Sequence, residues 1–398
     1  MSFFDSIAME APDPILGLTG MFKADQRKHK INLTAGVYKT EDLTTPILSS
    51  VKKIEESILD AELSKEYLSI EGDLGYLHKV ADLIFSKSFY ADRKEHISSF
   101  QTLGGTGALR LGAEFIKKEL SSSIFVSDPS WPNHKGIFSQ CGIQVETYPY
   151  YDTTFGEMKF EEMIQSLENA PFKSCILFHA SCHNPSGKDP SQEQWKALAA
   201  VCKKRSLLPF FDAAYLGFGV DFEEDAWPIR HFAELGMEMM IAVSFSKNFS
   251  LYGERIGALY IISESAETTK KITSQVKVLI RRNYSNPQLH GMKIVKGILS
   301  DPYLYNLWME ELCQMRSRVY SLKEEFSSIL CKKVRTKNYE YLKETKGMFC
   351  FCGLDKVLVE KLIKEYAIYL TYDGRINIAG LTKSSMEYVA DSIAKVIN

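Results

Sequence analysis

The middle of the chain carries four short apolar runs: SIFVS at 123–127, SCILFHAS at 174–181, LLPFFD at 207–212 and MMIAVSF at 239–245. Polar or turn-forming residues bound each of them. Short continuous apolar runs of this kind predict strands buried on both faces. Between them lie segments with apolar residues at helical spacing, among them Gly107–Leu120 and Gln192–Lys204. Such alternation predicts an α/β domain around a mostly parallel sheet, because parallel neighbours need a crossover and a helix supplies it. Helical charge patterns dominate farther on, over Asp301–Leu330 and Lys356–Tyr366, and mark a second unit with a boundary near 315. A chain of 398 residues has length for two or three such units.

Composition narrows the function classes. Apolar residues make up 45% and charged residues 25%, with a formal net charge of −2. That balance is ordinary for a soluble globular protein and gives no bulk attraction to nucleic acid or to an anionic membrane. The basic stretch Lys23, Arg27, Lys28 and Lys30 is short and has acidic neighbours, so it reads as a solvated face. No apolar run approaches the roughly 18 residues of a membrane span. The N-terminal MSFFDSIAMEAPDP lacks the basic and apolar regions of a secretory signal. Eight cysteines are scattered without a C-x-x-C pair, which points to reduced thiols and a cytoplasmic protein.

Chemistry-bearing residues follow the apolar runs, and ligands of open α/β sheets bind just beyond the carboxyl ends of strands. Gly104-Gly105-Thr106-Gly107 opens a helix over Ala108–Leu120. A Gly-rich turn at a helix start offers free N–H groups and a positive dipole end to an anion such as phosphate; a tight turn with a Thr cap is the plainer alternative. The same turn fits part of a dinucleotide fingerprint, with Asp128 placed for a ribose contact, but Arg110 stands where Gly or Ala is needed. Asp212 ends its run and Tyr215 follows: either a cap for the next turn, or an anion facing a cationic ring nitrogen beside a phenol. Within His179–Gly187, Asn184-Pro185 and Ser186-Gly187 are turn chemistry. His179, Cys182 and His183 form an incomplete ligand set, so no metal site is expected.

Lys247 lies just past the fourth run, flanked by Ser244 and Ser246, with Arg255 eight residues on. Most lysines are solvated surface groups. A desolvated lysine near another cation loses its proton more readily and attacks carbonyls. Arg255 supplies a fixed positive charge for a phosphate. A phosphate cradle, a carboxylate for a ring nitrogen and an activated lysine are together what pyridoxal 5'-phosphate requires.

The run SFSKNFSLYGERIGALY at 244–260 resembles the cofactor-lysine segment of class I aminotransferases, the aspartate and aromatic aminotransferase family. The likeness extends from DPILGL at 13–18 through GVYK, YLSIEG, GGTGALR, DPSWPNHK, HNPSGKDP, DAAYLGF, RRNYSNP and GMFCFCGL to GRINIAG at 374–380. It implies a fold-type-I architecture. A large domain over 46–314 would hold a mostly parallel, seven-stranded-type sheet, and a smaller α+β domain would join 1–45 to 315–398. It implies a homodimer with shared active sites and ping-pong transfer of an amine from an amino acid, aspartate or glutamate first, to a 2-oxo acid. An aromatic amino acid preference is the nearest alternative, and a nicotinamide-dependent oxidoreductase built on GGTG and Asp128 a remote one.

The resemblance also implies roles. Lys247 matches the residue that bonds the cofactor aldehyde and moves the substrate proton. Asp212 matches the partner of the ring nitrogen, Asn184 and Tyr215 the partners of the ring oxygen, and Trp131 the indole stacked on the ring. Gly105, Thr106, Ser244, Ser246 and Arg255 match the phosphate-binding set, joined by Tyr67 from the neighbouring subunit. Arg375 matches the clamp on the substrate α-carboxylate, and Arg281 the group that meets a distal carboxylate across the interface. Gly36, Trp131 and Asn184 complete the substrate surroundings. The chain departs from the family pattern at Thr34-Ala35, where Gly and a bulky aliphatic are usual, at Ser186 in place of Thr, at Gly253 in place of Asn, and at Gln288 in place of Pro.

Overall fold

The computed structural model describes residues 2–11, 13–153 and 156–397. Its centre is a seven-stranded sheet. In chain order the strands are β1 (Ile97–Leu103), β2 (Ser123–Asp128), β3 (Gln144–Pro149), β4 (Cys175–His179), β5 (Leu208–Ala213), β6 (Met239–Ser244) and β7 (Ile256–Ile262). Across the sheet they run β1-β7-β6-β5-β4-β2-β3. Strands β6, β5, β4, β2 and β3 pair in parallel, while β7 pairs antiparallel with both β6 and β1. Only β7 therefore points the other way. Its first residue comes out at the edge where the other six strands end.

The four apolar runs are β2, β4, β5 and β6, each within two or three residues of its expected bounds. Successive side chains on them go to opposite faces. Ile176, Phe178, Phe211, Ile241 and Val243 enter one core, and Cys175, Leu177, Phe210, Met240 and Ala242 enter the other. Coverage on both faces explains the missing alternation in their sequence. Each fully buried Leu, Ile or Phe contributes roughly 1.5–3 kcal/mol. Strands β1, β3 and β7 were not among the expected runs.

Three helices position the functional residues. Helix α1 (Leu16–Ala24) lies near the N-terminus, α2 (Gly104–Glu119) follows β1 directly, and α3 (Pro302–Lys333) runs 32 residues without a break. The Gly-rich segment is thus the first turn of α2 itself, three to four residues ahead of the expected helix start. The expected boundary near 315 lies inside α3. The segment Lys356–Tyr366 is a helix with the bounds expected of it. Two short pairings lie beyond the main sheet: Ile31–Asn32 runs parallel to Ile368–Tyr369, and Phe349–Phe351 antiparallel to Arg375–Asn377. The Arg27 guanidinium adds hydrogen bonds to the carbonyls of Lys364 and Ile363 at 2.7 and 2.8 Å. The N-terminal segment is thereby fastened to the C-terminal one.

Helix α2 approaches the sheet closely because small residues line the contact. A Cβ on Gly112 would lie 2.5 Å from the Phe210 ring, and one on Gly257 2.5 Å from the Val243 carbonyl oxygen and 2.7 Å from the Gly104 carbonyl carbon. Backbone cannot move aside as a side chain can. Gly257→Ala is expected to cost about 2–3 kcal/mol of stability, read as a lower denaturant midpoint. Gly253→Ala, where an added Cβ meets nothing within 4 Å, should change it by less than about 0.5 kcal/mol.

Candidate active site

A cavity of about 360 Å³ opens at the edge where the six co-directional strands end. Gly36, Gly105, Thr106, Trp131, Asn184, Asp212, Tyr215, Ser244, Ser246, Lys247, Arg255 and Arg375 all line it. Two expected residues stand apart in the single chain. Tyr67 is 87% exposed, and Arg281, near the end of the helix Ala266–Asn283, is exposed and hydrogen-bonds Ser285.

One end of the cavity is built for an anion. Helix α2 starts without a side-chain cap, so its first N–H groups are not taken up by a capping side chain. The Arg255 guanidinium lies against this turn, so close that a Cβ on Gly104 would be 2.6 Å from its Nη2. Nη1 of Arg255 donates to Ser246 Oγ at 3.0 Å and to the Tyr252 carbonyl at 3.1 Å, and Ser244 Oγ donates to Ser246 Oγ at 3.2 Å. The reversal of β7 delivers Arg255 here, immediately before Ile256. Donors, hydroxyls and a fixed cation converge on one spot.

At the end of β5, Asp212 is buried. Its Oδ2 accepts from His134 Nε2 at 2.9 Å, while Oδ1 has no hydrogen-bond partner among the described residues. The other ring nitrogen of His134, Nδ1, forms a hydrogen bond with Ser130 Oγ at 2.9 Å. Burial pushes the Asp212 carboxyl up, but the His134 hydrogen bond, with the Lys247 amine nearby, outweighs it and holds the carboxyl below its ordinary value. It stays an anion in a dry place. His179 packs tilted against His134, with ring centroids 5.0 Å apart, and burial beside that imidazole pushes it down to about 3, so it is neutral. His183 is occupied on both nitrogens, by Ser127 and Ser186 at 2.9 and 2.8 Å. The hydroxyl of Ser186, where Thr is usual, makes this contact.

Lys247 follows β6, with Nζ 4.6 Å from the Tyr215 ring centroid. Burial draws the amine down to about 8, Asp212 opposes, and Arg255 adds to the lowering. At the far side Arg375 is buried and held by three elements. Nη1 donates to Asn184 Oδ1 at 3.0 Å, Nη2 donates to the Thr34 carbonyl at 2.7 Å, and the guanidinium lies 4.3 Å over the Phe349 ring. Its Nε has no hydrogen-bond partner among the described residues. A Cβ on Gly36 would sit 2.7 Å from the Phe349 ring, so a larger residue there would have to displace the ring that Arg375 lies over. Burial lowers Arg375 somewhat from its ordinary value, with Asp373 and Tyr215 opposing.

The sequence reading missed His134, Phe349 and the segment Asp13–Leu16, all of which reach this site. His134 had a signal, since it lies one helical turn beyond Trp131 in DPSWPNHK. Phe349 had none, as an apolar residue on a short strand.

Comparison with known proteins decides the family. A family model described as "Aminotransferase class I and II" matches residues 28–393. The chain belongs to the class I and II aminotransferases. It is 42% identical to the aspartate aminotransferase of Escherichia coli strain K12 over 395 residues, covering 99% of this chain and 100% of that protein. It is 38% identical to the aromatic-amino-acid aminotransferase of the same organism, again over 99% and 100% of the two chains. An aromatic-amino-acid aminotransferase from Burkholderia pseudomallei, solved covalently bound to pyridoxal phosphate, superposes with a TM-score of 0.96 at 38% identity over the whole of both chains. Membership of this family sets aside the nicotinamide alternative for the Gly-rich turn. In this aminotransferase Arg110 instead pairs with Glu114 along α2, at 2.7 Å.

The electrostatics of Lys247 are directly measurable. In protein freed of small ligands, reductive methylation of its amine by formaldehyde and borohydride should reach half its plateau near pH 8, against about 10.4 for solvated lysines. Arg255→Leu removes a charge that favours the neutral amine, so the midpoint should move up. Peptide mass mapping reads both.

Proposed function

We propose that this protein is a pyridoxal 5'-phosphate-dependent aminotransferase that takes the amine of a dicarboxylic amino acid, aspartate or glutamate, and passes it to a 2-oxo acid. The observation that carries the reading is the convergence of a buried, unpaired Asp212 Oδ1, a buried Lys247 amine and the Arg255–α2 anion cradle on one cavity.

The residues fit the cofactor. Gly105, Thr106, Ser244, Ser246 and Arg255 would hold its phosphate, Asp212 its protonated ring nitrogen, Asn184 and Tyr215 its ring oxygen, and Trp131 one ring face. When bound, pyridoxal phosphate supplies an aldehyde that captures amines and an electron-poor ring that draws electrons from the substrate Cα. The chain does the rest. His134 fixes the Asp212 carboxylate and keeps it ionised, so its charge is available at the ring nitrogen. Lys247, its amine drawn down to about 8 by burial, would bond that aldehyde and, once released by the substrate amine, would move the proton between the substrate Cα and the cofactor. Arg375, pre-aimed by Asn184 and Thr34, takes the substrate α-carboxylate, and a guanidinium fork suits that group better than an ammonium.

Tyr67 and Arg281 belong in this scheme only as contributions from a second copy, so we propose a homodimer with shared sites. We further propose a cofactor domain over 46–314 and a small domain of 1–45 with 315–398. The pairing of Ile31–Asn32 with Ile368–Tyr369 supports that division, as do the Arg27 hydrogen bonds. Substrate binding would draw the small domain, which carries Arg375, over the cavity. No helix of the described residues is long and apolar enough to cross a membrane. We place the protein in the cytoplasm on its cysteine pattern.

A second reading, preference for aromatic amino acids, has its own support. The cavity wall includes Ile15, Leu16, Val37 and Leu109, and the relatives include aromatic-amino-acid aminotransferases.

A panel of aspartate, tyrosine and phenylalanine with 2-oxoglutarate separates the two. Aspartate should give the highest kcat/KM, and Lys247→Ala should lose at least about 100-fold on every donor. Arg281→Ala should lose roughly 30-fold or more on aspartate and less than about 5-fold on phenylalanine; equal losses would remove Arg281 from the site. Shared sites predict complementation. Refolding Lys247→Ala together with Arg281→Ala should raise aspartate turnover well above that of either variant alone, because each mixed dimer has one intact site.

A further inference from the structure

The N-terminal wall of the cavity and the Arg375 clamp are joined by a chain of hydroxyls. Thr34 is fully buried. Its Oγ1 donates to Asn32 Oδ1 at 2.6 Å, and its own N–H donates to the same oxygen at 3.0 Å. A hydroxyl has one proton, and at 2.6 Å that proton is committed to the Asn32 amide oxygen. The 3.2 Å contact between Thr34 Oγ1 and Thr19 Oγ1 therefore needs Thr19 as donor, and Thr19 Oγ1 shares its one proton between Thr34 and the Ile15 carbonyl at 3.3 Å. The relay is directional: Thr19 to Thr34 to Asn32.

Its two ends do different things. Thr19 belongs to helix α1, and the residues leading into that helix, Asp13 to Leu16, line the cavity mouth. Asp13 Oδ1 accepts the N–H groups of Ile15 and Leu16 at 2.9 and 2.8 Å, so this stretch moves with the helix. At the other end, the Thr34 carbonyl accepts the 2.7 Å hydrogen bond of Arg375 Nη2. The orientation of that carbonyl follows from the two bonds its residue makes to Asn32, which is itself paired with Tyr369. An apolar side chain at position 34 would remove one of those two bonds and cut the link to α1, leaving only the N–H bond to Asn32 to orient the carbonyl.

We propose that Thr34 is a positioning residue whose hydroxyl relay from Thr19 to Asn32 sets the cavity mouth and the carboxylate clamp Arg375 together. A carboxylate on Arg375 then tightens the seat of α1, and a seated α1 pre-aims Arg375. This inference rests on the aminotransferase reading for the identity of the carboxylate.

The test is a double-mutant cycle on holoenzyme with succinate as a dicarboxylate probe. Thr34→Val and Thr19→Val should each weaken succinate binding and raise KM for aspartate by about 5- to 10-fold, with kcat within about twofold, as for loss of one hydrogen bond. The double variant should be no weaker than either single one, because both break one relay. Thr34→Ser should restore wild-type values. Saturating succinate should protect Lys23, in the last turn of α1, from trypsin in the wild type and in Thr34→Ser but not in Thr34→Val. Unchanged succinate affinity in Thr19→Val, or losses that multiply in the double variant, would overturn the proposal, and the Thr19 arm decides it even should Thr34→Val fold poorly. Failure of the functional reading shows separately, as a wild-type protein without turnover, and the succinate cycle still judges the relay.

Discussion

A carboxylate buried at the end of a central strand is the constraint around which this molecule is arranged. An isolated Asp212 anion in such a place would take up a proton or destabilise the fold. One oxygen is satisfied by His134, whose other nitrogen is satisfied in turn by Ser130, while the second oxygen is left for a ligand. That division needs β5, which carries the carboxylate, and the helix Pro132–Gln140, which carries the imidazole, to be fixed against each other. Packing on both faces of the sheet provides the fixity. The nearby Lys247 amine, drawn toward neutrality by the same burial, gains from the anion without being locked to it.

Much of this was legible in the residues, for physical reasons. Strands β2, β4, β5 and β6 announce themselves because burial on both faces demands continuous apolar runs. Strand β1 does not, because ISSFQTL buries polar side chains and satisfies them with partners far along the chain: Ser98 Oγ reaches the Thr269 carbonyl at 3.1 Å, and Gln101 Nε2 the Gln288 carbonyl at 2.6 Å. A buried strand with polar side chains looks like a loop until its partners are known. Strand β3, at the sheet edge, carries the half-exposed QVETYP and is muted for the opposite reason.

The site divides along the same line. Residues that end strands, such as Asp212 and Lys247, are visible from position alone, because polar groups directly after buried runs are costly and need a purpose. Residues that act by supporting others are not. His134 is ordinary in sequence and Thr34 shows only as a departure from the family pattern, while their importance lies in what they hold 78 and 341 positions away. Gly253 shows the converse. Its departure from the family pattern suggests a loosened turn before Arg255, yet the Arg255 guanidinium keeps its contacts to Ser246 and Tyr252, and Gly253 has no close neighbour for a side chain to meet.

The lone reversed strand has a consequence for biosynthesis. Strand β1 lies at the sheet edge with β7 as its one paired neighbour, and β7 is the last of the seven to be made. While a nascent chain emerges from the ribosome, β1 has no strand to pair with until residues 256–262 follow. The anion cradle, encoded early, is thus among the last parts of the sheet domain to close, and vitamin capture belongs to the end of folding rather than its beginning.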